Sequence, residues 1–141
     1  MLRVLLPVDG SVSSNHAVAY VIMLAKDHSD MEVHLLNVQP EIVSGEISLY
    51  VSLDSINEYL QEQGRHALAS ARKILDEANI PYIPHIGVGY IAETVAPYVK
   101  EKKCDAVVMG TRGMGSISNL LLGSTVTKVV HVVEVPVTLV K

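Results

Sequence analysis

The stretch of sequence that decides the fold spans residues 106–133 and reads AVVMGTRGMGSISNLLLGSTVTKVVHVV. It opens with Ala106–Gly110, a short run of mainly branched aliphatic residues that is typical of a strand covered on both faces by helices. It closes with Ser124–Val133, where valines recur at i, i+3, i+4 and i+7. This spacing predicts a helix, although valine by itself favours strands. A strand, a loop rich in glycine and serine, and a helix therefore follow one another.

The rest of the chain repeats this alternation. Four further strand-like runs are Leu2–Val8, Glu32–Val38, Tyr82–Val88 and Val137–Val140. Apolar residues at helical spacing lie between them, in residues 18–25, 54–79 and 91–102, and Pro97 predicts a kink or a late start in the third of these helices. The alternation predicts an α/β fold: an open, doubly wound, five-stranded parallel sheet with helices on both faces. Ligands bind such sheets beyond the strand ends where the winding reverses, so the loops after the first and fourth strands are the expected site.

Composition limits the class of protein. The chain has 141 residues, which predicts one domain over residues 1–141, and 49% hydrophobic against 18% charged residues excludes intrinsic disorder. A net charge of −4, with six Tyr as the only aromatic residues, argues against a nucleic-acid partner. Every apolar run is too short to insert into a membrane. The single cysteine, Cys104, and the absence of a leader-like N-terminus predict a cytoplasmic protein.

The loop after the first strand carries a candidate ligand-binding carboxylate. It runs from Pro7 to Ser13, with Asp9 at the strand tip. Asp9 could accept hydrogen bonds from a ribose or a base, or hold a metal through water. The alternative is an Asx-type turn that feeds the next helix, which Ser11 or Ser13 would cap. Sequence alone leaves both open.

The loop at residues 111–122 is the stronger signal for a binding site. It is long for an α/β connection and rich in glycine, and Arg112 is its only fixed positive charge. Gly123-Ser124-Thr125 opens a helix whose unpaired N–H groups favour phosphate. The alternative is a flexible linker before a serine-capped helix. The loop has no lysine before Ser124, so it does not match a P-loop.

The glycine spacing resembles that of a known family. Gly110, Gly113 and Gly123-Ser124 reproduce the pattern G-2x-G-9x-G-[ST] of the ATP-binding universal stress proteins. The resemblance covers the whole chain, because residues 4–11, 35–38, 105–113 and 135–140 are similar to family segments in the same order. It implies an adenine nucleotide alpha hydrolase-like sheet and a stress-response protein that acts as a nucleotide-dependent sensor or regulator.

The resemblance also implies a ligand and a partner. The ligand would be ATP, or ADP or AMP, together with Mg²⁺, with adenine and ribose near the first two strands and phosphates over the glycine loop. The matching nucleotide-binding positions are Pro7, Val8, Asp9, Val38, Met109, Gly110, Arg112, Gly113, Gly123, Ser124 and Thr125. Family members commonly form homodimers through their final strands. Val137–Val140 would otherwise be an exposed apolar edge, which independently favours a homodimer.

Other chemistries have weaker support. The six histidines show no ligand spacing, so no protein-bound metal is predicted, and no G-x-S-x-G elbow occurs. No catalytic residue is predicted, and Cys104 is interpreted as a small buried residue despite the neighbouring lysines. Two alternatives to the sensor stay open. One is slow ATP hydrolysis or autophosphorylation. The other is an interaction module whose partner, such as a transporter, contacts residues 39–53.

Overall fold

The structure is a computed structural model that describes residues 1–42, 52–112 and 122–141. Strands and helices alternate along these residues as predicted. In chain order they are β1 (Leu2–Pro7), α1 (Val12–Asp27), β2 (Met31–Gln39), α2 (Leu53–Glu77), β3 (Tyr82–Val88), α3 (Ile91–Glu101), β4 (Ala106–Gly110), α4 (Ser124–Val132) and β5 (Val137–Val140).

The five strands form one parallel sheet in the order β3-β2-β1-β4-β5. This confirms the doubly wound α/β fold. The chain winds outward in one direction through β1, β2 and β3, and then returns to place β4 on the other side of β1. The winding therefore reverses between β1 and β4, where such sheets bind their ligands.

Two hydrophobic cores cover the two faces of the sheet. Successive side chains of a strand point to opposite faces, so Val4 and Leu6 of β1 pack in the core under α1 and α2, with Leu68 and Leu75 of α2. Leu5 points the other way, into the core under α3 and α4. All five of these residues are at most 1% exposed. Burial on both faces explains the nearly continuous aliphatic character of the central strands.

The two uncertain helices are settled by the structure. The valine-rich segment is helical, and Val126 and Val129 are buried as the periodicity predicts. Val130, which the same spacing places on the core face, is 46% exposed, so the buried stripe is narrower than predicted. Of the two outcomes predicted for α3, a kink or a late start, the late start is wrong, because the helix begins at Ile91 and the Thr94 N–H already donates to the Tyr90 carbonyl at 3.0 Å. Pro97 leaves the Glu93 carbonyl, four residues earlier, without its helical donor, but every N–H before Pro97 is still present, so the helix can begin at Ile91. Among the described residues no helix is both long and apolar enough to cross a membrane.

Candidate functional site

The sheet opens between β1 and β4 at the tip of β1. The Val8 N–H donates to the Leu36 carbonyl of β2 at 2.8 Å, so by strand alternation the nitrogen of Pro7 faces β4. Proline has no N–H to donate, and the register of β1 with β4 ends at the pair Leu5 and Val107. A cleft therefore begins where the ladder between β1 and β4 stops.

Asp9 is held at the wall of this cleft by the turn that starts α1. Its Oδ1 accepts a hydrogen bond from the Ser11 N–H at 2.9 Å, and Gly10 adopts a φ of +83°. Ser11 is the N-cap and accepts from the Ser14 N–H at 3.1 Å, while the Ser14 hydroxyl accepts from the Asp9 N–H at 3.1 Å. The Asx-type turn is thus present. It fixes the carboxylate in position, so the turn and a ligand-binding role are compatible.

Gly110 is required by packing. A Cβ at this position would lie 2.5 Å from the Ser13 Oγ and 2.7 Å from the Ser13 carbonyl carbon. The start of α1 therefore rests directly on the end of β4. The Ser13 hydroxyl donates to the Val140 carbonyl at 3.0 Å, and the Thr111 N–H donates to the same oxygen at 2.8 Å. The edge strand β5 is thereby tied to the strand tip that borders the cleft.

Helix α4 points its N-terminus at the cleft. Its N-cap is Gly123, whose N–H donates to the Thr111 carbonyl at 3.0 Å and which has no side chain to cap the helix. The first turn, which contains Ser124 and Thr125, carries no acidic residue. Exposed N–H groups and the positive end of the helix dipole favour an anion there.

The cleft has a volume of about 310 Å³. This lies at the lower end of the roughly 300–1,000 Å³ range of small-molecule sites. Among the described residues of its lining, Asp9 is the only carboxylate and Arg112 the only fixed cation. The residues that line it are Pro7, Val8, Asp9, Ser14, Leu36, Asn37, Val38, Ile91, Met109, Gly110, Arg112, Gly123, Ser124, Thr125 and Val126.

Nearly all the predicted site residues are brought together in this lining. The exception is Gly113, which lies outside the described residues. The structure adds lining residues that sequence reasoning missed, namely Ser14, Leu36, Asn37, Ile91 and Val126. A signal existed for Asn37, an amide that directly follows the aliphatic pair Leu35-Leu36 within a strand. Ile91 had no local signal, because α3 is far along the chain from the other contributors.

A second polar cluster lies away from the cleft, under α3. His34 of β2 is 4% exposed, and its Nδ1 lies 2.9 Å from the Nε2 of His85 on β3. The other ring nitrogen of His34 lies 2.8 Å from a Glu32 carboxylate oxygen. Burial and the neighbouring His34 lower the pKa of His85. Although 51 positions separate them in sequence, adjacent strands place the two rings in contact. Among the described residues, no three His, Cys, Asp or Glu side chains are placed to hold a metal ion.

Cys104 is a buried thiol just before β4. Its side chain belongs to the core under α3 and α4. Burial and the nearby Asp105 carboxylate raise its pKa to about 11, and these effects exceed the opposite influence of Lys102. The thiol is therefore protonated at neutral pH, which agrees with an inert packing residue.

Comparisons with known proteins agree over the full length. A family model described as "Universal stress protein family" matches residues 1–141. Universal stress protein MJ0531 of Methanocaldococcus jannaschii is 30% identical over 145 residues, which cover 99% of this chain and 81% of that relative. The solved structure of hypothetical protein MJ0577 has a TM-score of 0.81 at 26% identity and covers 99% of this chain and 94% of its own.

Two further solved structures share the fold and hold nucleotides. One is a universal stress protein in complex with cAMP, with a TM-score of 0.72 at 22% identity, covering 99% of this chain and 97% of its own. The other is the family protein At3g01520 of Arabidopsis thaliana with AMP bound, with a TM-score of 0.68 at 22% identity, covering 100% of this chain and 92% of its own.

Proposed function

This chain belongs to the universal stress protein family, and from that premise we propose that it binds an adenine nucleotide in the cleft between β1 and β4 and acts as a nucleotide-dependent sensor or regulator. The observation that carries the proposal is the cleft lining, which unites residues from the β1 tip, β2, β4 and the start of α4. The bound AMP and cAMP of two proteins with this fold support the same ligand class.

The phosphate end of the ligand is assigned to the α4 side of the cleft. Arg112 supplies a guanidinium, and the first turn of α4 supplies backbone N–H groups and the hydroxyls of Ser124 and Thr125. These are the donors that phosphate oxygens require. Asp9 is the carboxylate that would share a Mg²⁺ ion with the phosphates, because Mg²⁺ at nucleotides uses one or two carboxylates and otherwise phosphate oxygens and water.

The base end is assigned to the β2 side. The Leu36 carbonyl faces β1, so the N–H and C=O of Val38, two residues further along β2, face the same way. The pairing of β2 with β1 has already ended at this point. A neighbouring N–H donor and C=O acceptor match the adenine edge, which offers N1 as acceptor and the N6 amino group as donor. Val8 and Met109 supply apolar surface for the ring.

Titration calorimetry tests this proposal directly. The wild-type protein is titrated with ATP, ADP, AMP and cAMP, each with and without Mg²⁺, alongside Arg112→Gln and the control Arg65→Gln. Arg65 lies on α2 in an exposed pair with Glu62. We expect Arg112→Gln to weaken ATP binding roughly 10- to 100-fold, because hydrogen bonds to charged groups contribute about 1.5–3 kcal/mol. The control should bind as the wild type does. No binding of any of the four at millimolar concentration would exclude the proposal.

We further propose a homodimer formed through β5. Both edges of the sheet, β3 and β5, are candidates. At the end of β3 the Gly89 N–H donates to β2, and backbone groups of successive residues alternate between the two sides of a strand. The backbone of Pro84 therefore faces outward, and because proline has no N–H, it blocks the addition of another strand at this edge. On β5 the Val140 carbonyl faces β4, so alternation turns the Leu139 N–H outward, toward a partner strand.

The edge N–H provides a sharp test of the dimer. Leu139→Pro removes that outward N–H while every bond between β4 and β5 keeps its donor and acceptor. We expect this variant to be monomeric by light scattering after size exclusion, whereas the control Leu139→Ala, which keeps the N–H, stays dimeric. A dimeric Leu139→Pro protein, or a monomeric wild type, would argue against β5 as the interface.

A further inference from the structure

Asn37 is a buried amide at the place where pairing between β1 and β2 ends. It is 2% exposed, and its Nδ2 donates to the Val8 carbonyl at 2.8 Å. Its Oδ1 accepts from the Gln39 Nε2 at 2.7 Å, which fixes the orientation of the amide. The register of the two strands stops at the pair Pro7 and Leu36. A polar side chain with both ends bonded thus lies at the strand tip that lines the cleft.

The bond to Val8 occupies an acceptor that the sheet would otherwise use. In a parallel ladder, a residue whose N–H donates to one carbonyl accepts from the N–H two positions further along the partner strand. The Val8 N–H donates to the Leu36 carbonyl, so the next donor to the Val8 carbonyl would be the Val38 N–H. The Asn37 side chain makes that bond in its place.

We propose that Asn37 is a positioning residue for base recognition: its amide occupies the Val8 carbonyl and so holds the Val38 N–H and C=O open to the base of the bound nucleotide. The inference rests on the proposed nucleotide site. It adds the residue that keeps the site selective for a base with an acceptor next to an exocyclic amino donor. Adenine has this edge, whereas hypoxanthine presents an N–H and a carbonyl in the reverse arrangement.

Removing the amide should let the ladder extend by one bond. Val8 is 5% exposed, so its carbonyl would be left buried without a partner, and an unmade buried hydrogen bond is costly. The Val38 N–H is the nearest replacement donor on the neighbouring strand. That N–H would then be withdrawn from the cleft.

Amide hydrogen exchange in the ligand-free protein tests this without any nucleotide. Asn37→Leu removes the donor and keeps the number and branching of the side-chain heavy atoms, and Asn37→Ala, which adds no bulk, serves as a second variant. The control is Val33→Ala, which truncates a buried side chain on the same strand, away from the cleft. We expect exchange at Val38 to slow at least tenfold in the Asn37 variants, whereas simple destabilisation, as in the control, would leave it unchanged or accelerate it. A Val38 amide that is already protected in the wild type, or is not slowed in either variant, would overturn the inference.

Base selectivity is the second readout. The affinities of ATP and ITP are measured on the wild type, on Asn37→Leu and on Val33→Ala. We expect the preference for ATP over ITP to fall roughly three- to tenfold in Asn37→Leu, the equivalent of one lost hydrogen bond, and to be kept in Val33→Ala. An unchanged preference in Asn37→Leu would refute the role of Asn37 while nucleotide binding stands. Absence of ATP binding by the wild type would instead refute the proposed function, and the exchange experiment would still decide whether Asn37 holds the ladder open.

Discussion

The contact between Gly110 and Ser13 makes a strong prediction for Gly110→Ala. The added Cβ would lie 2.5–2.8 Å from the Ser13 Oγ, carbonyl carbon and carbonyl oxygen. Two of these atoms are backbone, so α1 must move away from β4. Overpacking costs about 1–3 kcal/mol, and displacing Ser13 also weakens its bond to the Val140 carbonyl, which contributes about 1 kcal/mol.

The expected loss is therefore about 3 kcal/mol in the free energy of unfolding, which corresponds to about 10 °C in Tm for a domain of this size. Gly64→Ala is the matched control. Its Cβ would approach Ile86 as closely as 2.6 Å, but the clash is with side-chain atoms only. A rotamer change can relieve that clash, and alanine gains up to about 1 kcal/mol over glycine within a helix.

Urea denaturation of both variants measures the difference. We expect Gly64→Ala to lose at most about 1 kcal/mol, well below the loss in Gly110→Ala, because the helix propensity gained offsets part of the overpacking. Equal losses in the two variants, or a Gly110→Ala protein as stable as the wild type, would refute the argument that backbone contact at Gly110 is the controlling feature.

Two further predictions concern titratable groups outside the cleft, the partly buried His85 and the buried Cys104. Burial and the neighbouring His34 lower the pKa of His85, so the unfolded chain binds this proton more tightly than the folded protein does. The contribution of His85 to the free energy of unfolding is therefore fully present above about pH 6.5 and is lost as the pH falls. The urea midpoint of the wild type should fall as the pH is lowered from 8 to 5, and His85→Gln should reduce this pH dependence. The same pH dependence in His85→Gln would contradict its assignment to His85. The Cys104 thiol, whose pKa is raised to about 11, should react with a disulfide reagent at least 100-fold more slowly in the folded protein than in urea, and equal rates would show that it is accessible.

The structure also suggests a route from the proposed nucleotide site to the proposed dimer edge. The Val140 carbonyl at the end of β5 accepts from both the Ser13 hydroxyl and the Thr111 N–H. Ser13 packs on Gly110, which lines the cleft, so a ligand that shifts the β4 tip acts on the edge strand through two hydrogen bonds. A comparison of the dimer dissociation constant with and without ATP measures this coupling.

Local sequence determined the elements and their order. The alternation of aliphatic runs with helical spacing is a short-range property, and it predicts all five strands and even the valine-rich α4, where periodicity outweighs the β-propensity of valine. Because parallel strands must be joined by crossover helices, the same alternation implies the parallel sheet and the ends of β1 and β4 as the site. The glycine spacing pointed to the same strand ends.

Tertiary structure alone decided which atoms meet. The glycine pattern predicts close approach to an anion, and it gives no sign that Gly110 also contacts Ser13, because only the docking of α1 on β4 brings the two together. The late start expected for α3 at Pro97 did not occur. His34 and His85 met because strand register set two distant rings side by side. The Asn37 amide reaches the Val8 carbonyl because the pairing of β1 with β2 ends beside it. Such contacts depend on register and on the packing of layers, which no local pattern of residues specifies.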